Sequence, residues 1–253
     1  MNARSMHVVI TAGGTSPADF AQAIGSPYKA LAPVGSRCCI DLVVDAARGL
    51  APAGIAVIAP DAVAAHLGTT VDRIVPAAGD GIINITRALN VFPDATQLLY
   101  LTCDLPFLTT PALADFIARA GTVAVAMALA DGASYIAEYP GAADHTIALG
   151  TERIANGSVF LIDRAAIAPV EAAAGRFFRA RKSLPRLAML LGPRLLAKFA
   201  LRRLRIADIE ARARTVLGVE ARAVRGCSPS LCYDIDSAAE WAYARNFRRS
   251  ASP

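Results

Sequence analysis

Short apolar runs rich in β-branched residues alternate with longer amphipathic segments through the first half of the chain, which has 253 residues. The apolar runs predict strands at 7–11, 55–59, 73–75, 98–102 and 122–128. The segments between them carry apolar residues at helical spacing and predict helices over 37–50, 62–67 and 82–90, and from residue 109 onward. Strands joined through helices pair in parallel by right-handed crossovers. The alternation therefore predicts a doubly wound α/β protein, in which ligands bind at the carboxyl ends of strands.

The second half of the chain is less regular than the first. Short strands are predicted at 135–138, 146–149, 158–162 and 221–224, and residues 164–217 have a mostly helical pattern. Ser237 is followed three residues later by Glu240, a capping box that predicts a final helix over 237–246. Neither an internal repeat nor a low-complexity linker occurs. We therefore expect one domain over 1–253, with a helical insertion or subdomain at about 164–217.

Composition and cysteine spacing restrict the class of protein further. No stretch approaches the roughly 18 uncharged apolar residues of a membrane span, and Gly13 and Gly14 interrupt the first apolar run too early for a signal peptide. The five cysteines are odd in number and lack Cys-x-x-Cys spacing, which argues against disulfides and against a zinc site. The three histidines have no metal-binding spacing. We expect a cytoplasmic protein with small buried thiols.

The positive charge of the chain is concentrated in one region. The formal net charge is +5, but ten Arg and Lys residues and no acidic residue fall within 176–205, so the remainder carries 5 − 10 = −5. Three interpretations are open: solvent-facing helices, a surface for phosphates of a nucleotide or acceptor, or a weak contact with anionic membrane, because leucines alternate with the basic residues. Nucleic acid is disfavoured because interleaved aromatic residues and binding motifs are missing.

A glycine pair follows the first predicted strand. Ala12, Gly13, Gly14 and Thr15 lead into a long loop that ends at Lys29. Adjacent glycines allow a ligand to approach the backbone closely and leave amides free to face an anion. A lysine beyond the loop can reach back as a point charge toward a phosphate. By itself this pattern also fits an ordinary turn.

Carboxylates occur at two further places. Asp104 follows the apolar strand at 98–102, where a charged group needs a cation or several hydrogen bonds as compensation. Asp234 and Asp236 lie on the same side of an extended segment. Mg²⁺ prefers few carboxylates together with water and substrate phosphates, so one aspartate from each place suits it. The alternative is that Asp104 caps a turn and the other two cap the final helix.

In order and spacing, three motifs resemble the signatures of the MobA-like nucleotidyltransferases. They are Ala-Gly-Gly with Pro-Tyr-Lys-Ala-Leu-x-Pro-Val-Gly, then Thr-Cys-Asp-Leu-Pro-Phe-Leu, then Asp-Ile-Asp-Ser-Ala-Ala-Glu. The resemblance covers roughly residues 6–160 and 219–247. It implies a three-layer, Rossmann-like fold of the GT-A type with a mostly parallel sheet, and transfer of a nucleoside monophosphate from an NTP to a phosphorylated small-molecule acceptor.

The resemblance also implies roles for individual residues. Lys29 would stabilise charge on the triphosphate, and Asp104 and Asp236 would bind Mg²⁺ or Mn²⁺. The nucleotide and the acceptor would lie near Ala12, Gly13, Gly14, Thr15, Gly79, Asn84, Asn156 and Gly157. Lys182, in the basic stretch, is a candidate for completing the phosphate site.

The chain departs from the family pattern in the first loop. Lys29 lies fifteen residues after Gly14, farther than the usual spacing, and the loop between them contains neither arginine nor lysine. Two alternatives therefore stay open. One is a GT-A-like glycosyltransferase, which would need an Asp-x-Asp at the end of the strand at 98–102, where the sequence has Cys103-Asp104. The other is a nucleotide-binding regulatory module without catalysis.

Overall fold

A central sheet of eight strands organises the protein. The structure, a computed structural model, describes residues 6–180, 183, 189–190 and 192–250. The strands are β1 (Met6–Thr11), β4 (Gly54–Ala59), β5 (Arg73–Pro76), β6 (Gln97–Thr102), β7 (Val125–Asp131), β8 (Ile147–Leu149), β9 (Glu152–Asp163) and β10 (Ala221–Val224); β2 (Pro33–Val34) and β3 (Arg37–Cys38) form a separate hairpin.

Helices cover both faces of this sheet. They are α1 (Ala18–Ile24), α2 (Cys39–Arg48), α3 (Asp61–Leu67), α4 (Gly81–Asn90), α5 (Thr110–Ala120), α6 (Gly132–Glu138), α7 (Ile167–Ala180), α8 (Pro193–Ala200), α9 (Ile206–Leu217) and α10 (Ala238–Ser250). The three layers follow from the strand sequences, because a strand buried on both faces reads as a nearly continuous apolar run.

The strand order places the carboxyl ends of β1 and β6 side by side. The order is β5-β4-β1-β6-β9-β7-β10, and β8 pairs with β9. β1 is parallel to both β4 and β6, whereas β9 is antiparallel to both β6 and β7. After β1 the chain adds β4 and β5 on one side of that strand, and it then adds β6 on the other side. The order of strands therefore reverses between β1 and β6. At such a point α/β proteins have a crevice at the carboxyl ends of the two strands, where ligands bind.

Alternate residues of β1 face two separate parts of the core. Val8 and Ile10 belong to the cluster that contains residues of α1, α2, α5 and α10, whereas Val9 faces the cluster that contains residues of α4 and α7. All three side chains are completely buried. Full burial of such a side chain stabilises the fold by about 1.5–3 kcal/mol. The apolar run therefore fixes β1 in the middle of the sheet.

The predicted α/β class and mostly parallel sheet are confirmed, with differences in detail. The segment 135–138, predicted as a strand, forms part of α6, because Tyr135 and Tyr139 lie four residues apart and are both buried. The helix predicted from residue 37 begins at Cys39, since Arg37 and Cys38 pair with β2. β7 starts later than predicted, at Val125.

β9 is much longer than predicted. It spans twelve residues and includes Asn156 and Gly157, which precede the strand predicted at 158–162. At Gly157 an added Cβ would lie 2.8 Å from the Leu231 carbonyl oxygen and 3.0 Å from the Ala128 carbonyl oxygen. The register of β7 against β9 shifts between Met127 and Leu129, beside this glycine. Gly157 therefore allows close backbone packing within a strand and does not form a hairpin turn.

The long loop before Lys29 contains a helix that the sequence did not predict. α1 buries Phe20 completely, and Gly25 ends it in a left-handed conformation with φ 69°. The two ends of the loop are held together by a bridge between Thr15 and Tyr28 and by the Ser16 amide, which donates to the Pro27 carbonyl (2.8 Å). The extra residues of the loop therefore form α1, and they do not separate the glycine pair from Lys29.

Between β9 and β10 the described residues are mostly helical, as the pattern over 164–217 predicted. α7 packs against α4, and α9 packs against β10. Division of the chain into one domain with an insertion stays a prediction. In the part of the chain that the structure describes, no helix is both long enough and apolar enough to cross a membrane.

Candidate nucleotide site

Three segments that are distant in sequence meet at the carboxyl edge of the sheet. The Cys103 amide donates to the Thr11 carbonyl (3.2 Å), which joins the residues that follow β6 to the end of β1. The Ile235 amide donates to the Asp104 carbonyl (3.0 Å), which adds the segment before α10. Phe107 stacks on Tyr139 and contacts Tyr233, with ring centroids 4.9 and 4.8 Å apart. Backbone bonds and aromatic packing therefore fix the carboxylates of these segments.

Lys29 connects the two predicted metal-binding carboxylates. Its Nζ forms ion pairs with Asp104 Oδ2 and with Asp236 Oδ1. The Lys29 and Asp104 side chains are 18% and 5% exposed, whereas that of Asp236 is 64% exposed, so the cluster extends from the core to the surface. Burial alone would lower the pKa of Lys29, but Asp104 and Asp236 outweigh it and raise this pKa above its usual range. The ammonium therefore stays charged at every physiological pH.

Asp104 keeps one oxygen unused within this cluster. Its Oδ1 is buried and has no hydrogen-bond partner among the described residues. A buried carboxylate oxygen without a partner costs free energy, so such an atom suggests an absent cation or donor. The turn-capping alternative for Asp104 does not account for this oxygen.

Asp236 is positioned by the beginning of α10. Both the Asp236 amide (2.7 Å) and the Ser237 amide (2.8 Å) donate to Glu240 Oε2, while the Glu240 amide donates to Ser237 Oγ (3.3 Å). This is the capping box that the sequence predicted. Because Ser237 and Glu240 satisfy the helix terminus, the Asp236 carboxylate is left to contact Lys29.

Asp234 is a further member of the cluster. Ser158 Oγ contacts its Oδ2 (3.3 Å), and the side chain is half-buried. Burial raises the pKa of Asp234 to about 6, and the negative charges of Asp104 and Asp236 add to the rise. The sequence paired Asp234 with Asp236 but assigned it no role. The signal that could have found it is its position within a run of buried residues, Tyr233 and Ile235 on either side.

We expect Asp234→Asn to stabilise the protein above pH 6. The folded state raises the pKa of Asp234 from the unfolded value of about 4, so ionisation penalises folding progressively as pH rises from about 4 to about 6. Two pKa units correspond to about 2.7 kcal/mol, and about 1–2 kcal/mol is expected for a half-buried group. Urea unfolding at pH 7.5 and pH 4 measures this gain, which should shrink at the lower pH. The exposed Asp94→Asn is the control; parallel pH curves for Asp234→Asn and wild type would contradict the assignment.

The glycine pair lies against α4. A Cβ on Gly13 would be 2.7 Å from Asn84 Nδ2 and 3.0 Å from Ala77 Cβ, so only glycine fits there without displacement. Asn84 is held in place by Ala78: its Oδ1 accepts from the Ala78 amide (2.7 Å) and its Nδ2 donates to the Ala78 carbonyl (3.0 Å). Asn84 therefore shapes the wall beside the glycine turn, with its amide group already engaged by backbone.

The other predicted residues fall into two groups. Ala12 is buried at the end of β1, and a Cβ on Gly14 would be 3.6 Å from Lys29 Cε, so the glycine pair and the lysine are neighbours. Asn156 and Gly157 lie within β9, and Gly79 lies before α4 with open space where a Cβ would be. Lys182, proposed from the basic stretch, lies outside the described residues.

A separate group of side chains that metals commonly bind occurs among the described residues at the start of α2. Ligand atoms of Cys38, Asp41 and His66 lie within 4.8 Å of one another. Both Asp41 oxygens are engaged, because Oδ2 accepts from the Cys38 amide (2.9 Å) and Oδ1 contacts His66 Nε2 (2.8 Å). This arrangement is a hydrogen-bonded cap of α2. All five cysteines are free thiols; four are buried as the sequence suggested, and Cys38 is half-buried.

A mostly parallel sheet with a glycine turn, a lysine and several carboxylates at its carboxyl edge is typical of the α/β proteins that bind ligands at that edge. The family model described as the MobA-like NTP transferase domain matches residues 8–218. The chain belongs to the MobA-like NTP transferase family and is a nucleotidyltransferase. The match includes the helical segment between β9 and β10 and ends before Asp234 and Asp236.

Solved structures share this fold. A hypothetical transferase from Thermus thermophilus is 26% identical, with a TM-score of 0.83 over 93% of this chain and 98% of that chain. A CMP:2-keto-3-deoxy-manno-octonic acid synthetase complexed with CTP is 13% identical, with a TM-score of 0.60 over 98% and 100%. The 2-C-methyl-D-erythritol 4-phosphate cytidylyltransferase of Thermus thermophilus is 16% identical, with a TM-score of 0.55 over 96% and 98%. No curated protein sequence is significantly similar to the chain.

Proposed function

We propose that the protein transfers a nucleoside monophosphate from an NTP to a phosphorylated small-molecule acceptor and releases pyrophosphate. The observation that carries this proposal is the contact of Lys29 with Asp104 and Asp236 beside the glycine turn. Two structures of the same fold support it by what they bind or act on: one holds CTP, and the other is named for a phosphorylated substrate.

The carboxylate cluster fits Mg²⁺ or Mn²⁺. Its donors are all oxygens, and Asp104 Oδ1 is buried without a partner among the described residues. Asp104 and Asp236 are the ligands that we propose, with Asp234 close enough to affect their charge. A bound divalent ion would neutralise charge on the phosphates and orient them for displacement.

The chain's own residues supply binding and positioning. We propose that the amides at Gly13 and Gly14 face the nucleotide, because the absence of side chains leaves the backbone accessible. Lys29 carries a fixed positive charge beside Gly14, where it can offset charge on the triphosphate. An acceptor phosphate oxygen would bond to the α-phosphorus, while the bond to the bridging oxygen breaks and its electron pair leaves with pyrophosphate.

Lys29 must exchange partners during this reaction. In the structure its ammonium is paired with Asp104 and Asp236, the same carboxylates that are proposed to bind the ion. A divalent cation and an ammonium compete for such oxygens, and a triphosphate offers Lys29 an alternative anion. We propose that nucleotide and metal bind together, with Lys29 turning from the carboxylates to the phosphates.

Pyrophosphate release tests the proposed function. The protein is incubated with Mg²⁺ or Mn²⁺, each of CTP, GTP, ATP and UTP, and a panel of phosphorylated sugars and alcohols. Pyrophosphate formed in proportion to a new nucleotide diester supports the proposal. Metal-dependent NTP binding without turnover would favour the regulatory alternative. Hydrolysis of a nucleotide sugar, supplied in a parallel incubation, would favour the glycosyltransferase. The glycosyltransferase is disfavoured because neither Thr102 nor Pro106, the residues two positions from Asp104, is a carboxylate.

The cellular compartment of the protein and the role of its basic stretch are also part of the proposal. Five free cysteines are typical of a reducing compartment, which supports the cytoplasm. The basic stretch 176–205 is proposed to meet phosphates, either those of the acceptor or those of an anionic lipid surface. Arg176 and Arg179 are exposed on α7, in keeping with either partner.

A further inference from the structure

A large apolar cavity lies on the face of the sheet that α4, α7 and α9 cover. Its volume is about 590 Å³, within the range of small-molecule sites, roughly 300–1,000 Å³. Tyr100 and Phe160 line it from the sheet, Ala174 from α7 and Ala213 from α9. A second apolar cavity of about 370 Å³ adjoins it, because Phe160 and Ala213 line both. Such walls can pack against a hydrocarbon chain, but they provide few hydrogen-bond partners for a nucleotide base or a phosphate.

One end of this cavity adjoins the carboxylate cluster. Thr102 lines the cavity and is the last residue of β6, two residues before Asp104. Leu101 pairs with Val159, so Ser158, the partner of Asp234, comes next in the register beside Thr102. Thr102 Oγ1 is buried and has no hydrogen-bond partner within the described ranges. The cavity therefore ends at an unused hydroxyl next to the proposed reacting groups.

The other end reaches a surface that is both apolar and basic. Phe177 lines the cavity and is 49% exposed, so the cavity opens there. Arg176 and Arg179 line an adjoining pocket together with Met189, which is 73% exposed. Exposed apolar side chains beside arginines suit contact with an anionic lipid surface, from which an apolar chain can enter.

We propose that the cavity holds the hydrocarbon chain of the acceptor, an alkyl or isoprenoid phosphate whose phosphate lies at the Thr102 end. This inference rests on the proposed function, since it names the class of acceptor for that reaction. The acceptor's phosphate oxygen bonds to the α-phosphorus of the NTP, and pyrophosphate leaves with the electron pair of the broken bond. The chain length that fits is set by the two adjoining cavities.

Binding of n-alkyl phosphates from butyl to dodecyl, below their micelle concentrations, tests the inference by calorimetry. Each buried methylene should tighten binding about two- to fourfold, so the series should span at least about 100-fold in Kd. Ala213→Phe places a ring in both cavities and should remove most of this dependence. Ala211→Phe, on the exposed side of the same helix, should behave as wild type. Where Ala213→Phe lowers Tm, Ala174→Leu on α7 makes the same test from the opposite wall.

The arms of the experiment separate the two proposals and the two sources of the ligand. Binding of CTP, GTP, ATP and UTP is measured in the same variants and should be unchanged. Two results would overturn the inference: a Kd for alkyl phosphates that does not depend on chain length, or one that depends on it equally in wild type and in Ala213→Phe. Neither result would affect the proposed function, which NTP binding tests separately. Binding of the dispersed long-chain probes would show capture of the molecule from solution. Binding seen only when these probes are supplied within phosphatidylglycerol vesicles would show that the chain is drawn from a bilayer.

Discussion

Replacing Asp104 with asparagine should reduce kcat/KM for nucleotidyl transfer at least about 1,000-fold, or about 4 kcal/mol of transition-state stabilisation. Asparagine keeps the volume and one acceptor oxygen, so the turn after β6 should persist. It removes the charge that holds Lys29 and that is proposed to bind the divalent ion. Steady-state pyrophosphate release measures the loss, and Tm checks the fold.

Asp131→Asn is a matched control for this variant. Asp131 also ends a strand at the carboxyl edge of the sheet, but it is exposed and lies at the start of α6. Its activity should stay within about twofold of wild type. If Asp104→Asn retained more than a tenth of wild-type kcat/KM with a normal Tm, Asp104 would not be the principal metal ligand.

Lys29→Met should lower kcat/KM about 100- to 1,000-fold. Methionine keeps an apolar stem of similar length but removes the positive charge that is proposed to offset charge on the triphosphate. A second effect follows from the cluster, because Lys29 opposes the rise in the pKa of Asp234. Without the ammonium this pKa should increase further. As the pH is lowered, the residual activity of Lys29→Met should therefore be lost at a higher pH than the activity of the wild type.

Arg119→Met controls for the loss of a cation that forms an ion pair. Arg119 pairs with Asp115 within α5, and its substitution should change neither kcat/KM nor the pH profile. Lys29→Arg keeps the charge and should recover part of the activity. A Lys29→Met enzyme with an unshifted acid limb would show that Asp234 does not titrate in the active protein.

The sheet edge was predictable because its chemistry is local in sequence. A charged residue after an apolar strand, as Asp104 is, and a glycine pair after another strand each fit an ordinary turn when taken alone, but together they favour a ligand site. Parallel strands then bring the two together, since their carboxyl ends share one edge. That Asp236 and Lys29 serve one site was expected from the family resemblance alone, because nothing in the local sequence joins residues 207 positions apart. Their direct contact was not predicted.

The features that the sequence analysis missed depend on tertiary contacts. The strand predicted at 158–162 is longer than expected, because close packing of Gly157 against Leu231 and Ala128 includes Asn156 and Gly157 in β9. α1 buries a single large side chain, Phe20, so its apolar periodicity is too weak to detect. The Asp234 pKa depends on burial and on two neighbouring charges, neither of which spacing can measure.

The separation of Lys29 from Asp236 has a consequence for how the protein is made. Trp241 Nε1 donates to the Pro33 carbonyl (2.8 Å), so the segment that carries Asp234 and Asp236 docks on the earliest part of the fold. Ribosomes add about 5–20 residues per second. For about 7 seconds or more, the time needed to add the residues between Thr102 and Asp236, β1, β6 and Lys29 exist on the nascent chain without those two carboxylates. Newly synthesised chains should therefore gain the ability to bind phosphates at this site abruptly, once the segment that carries Asp236 leaves the ribosome.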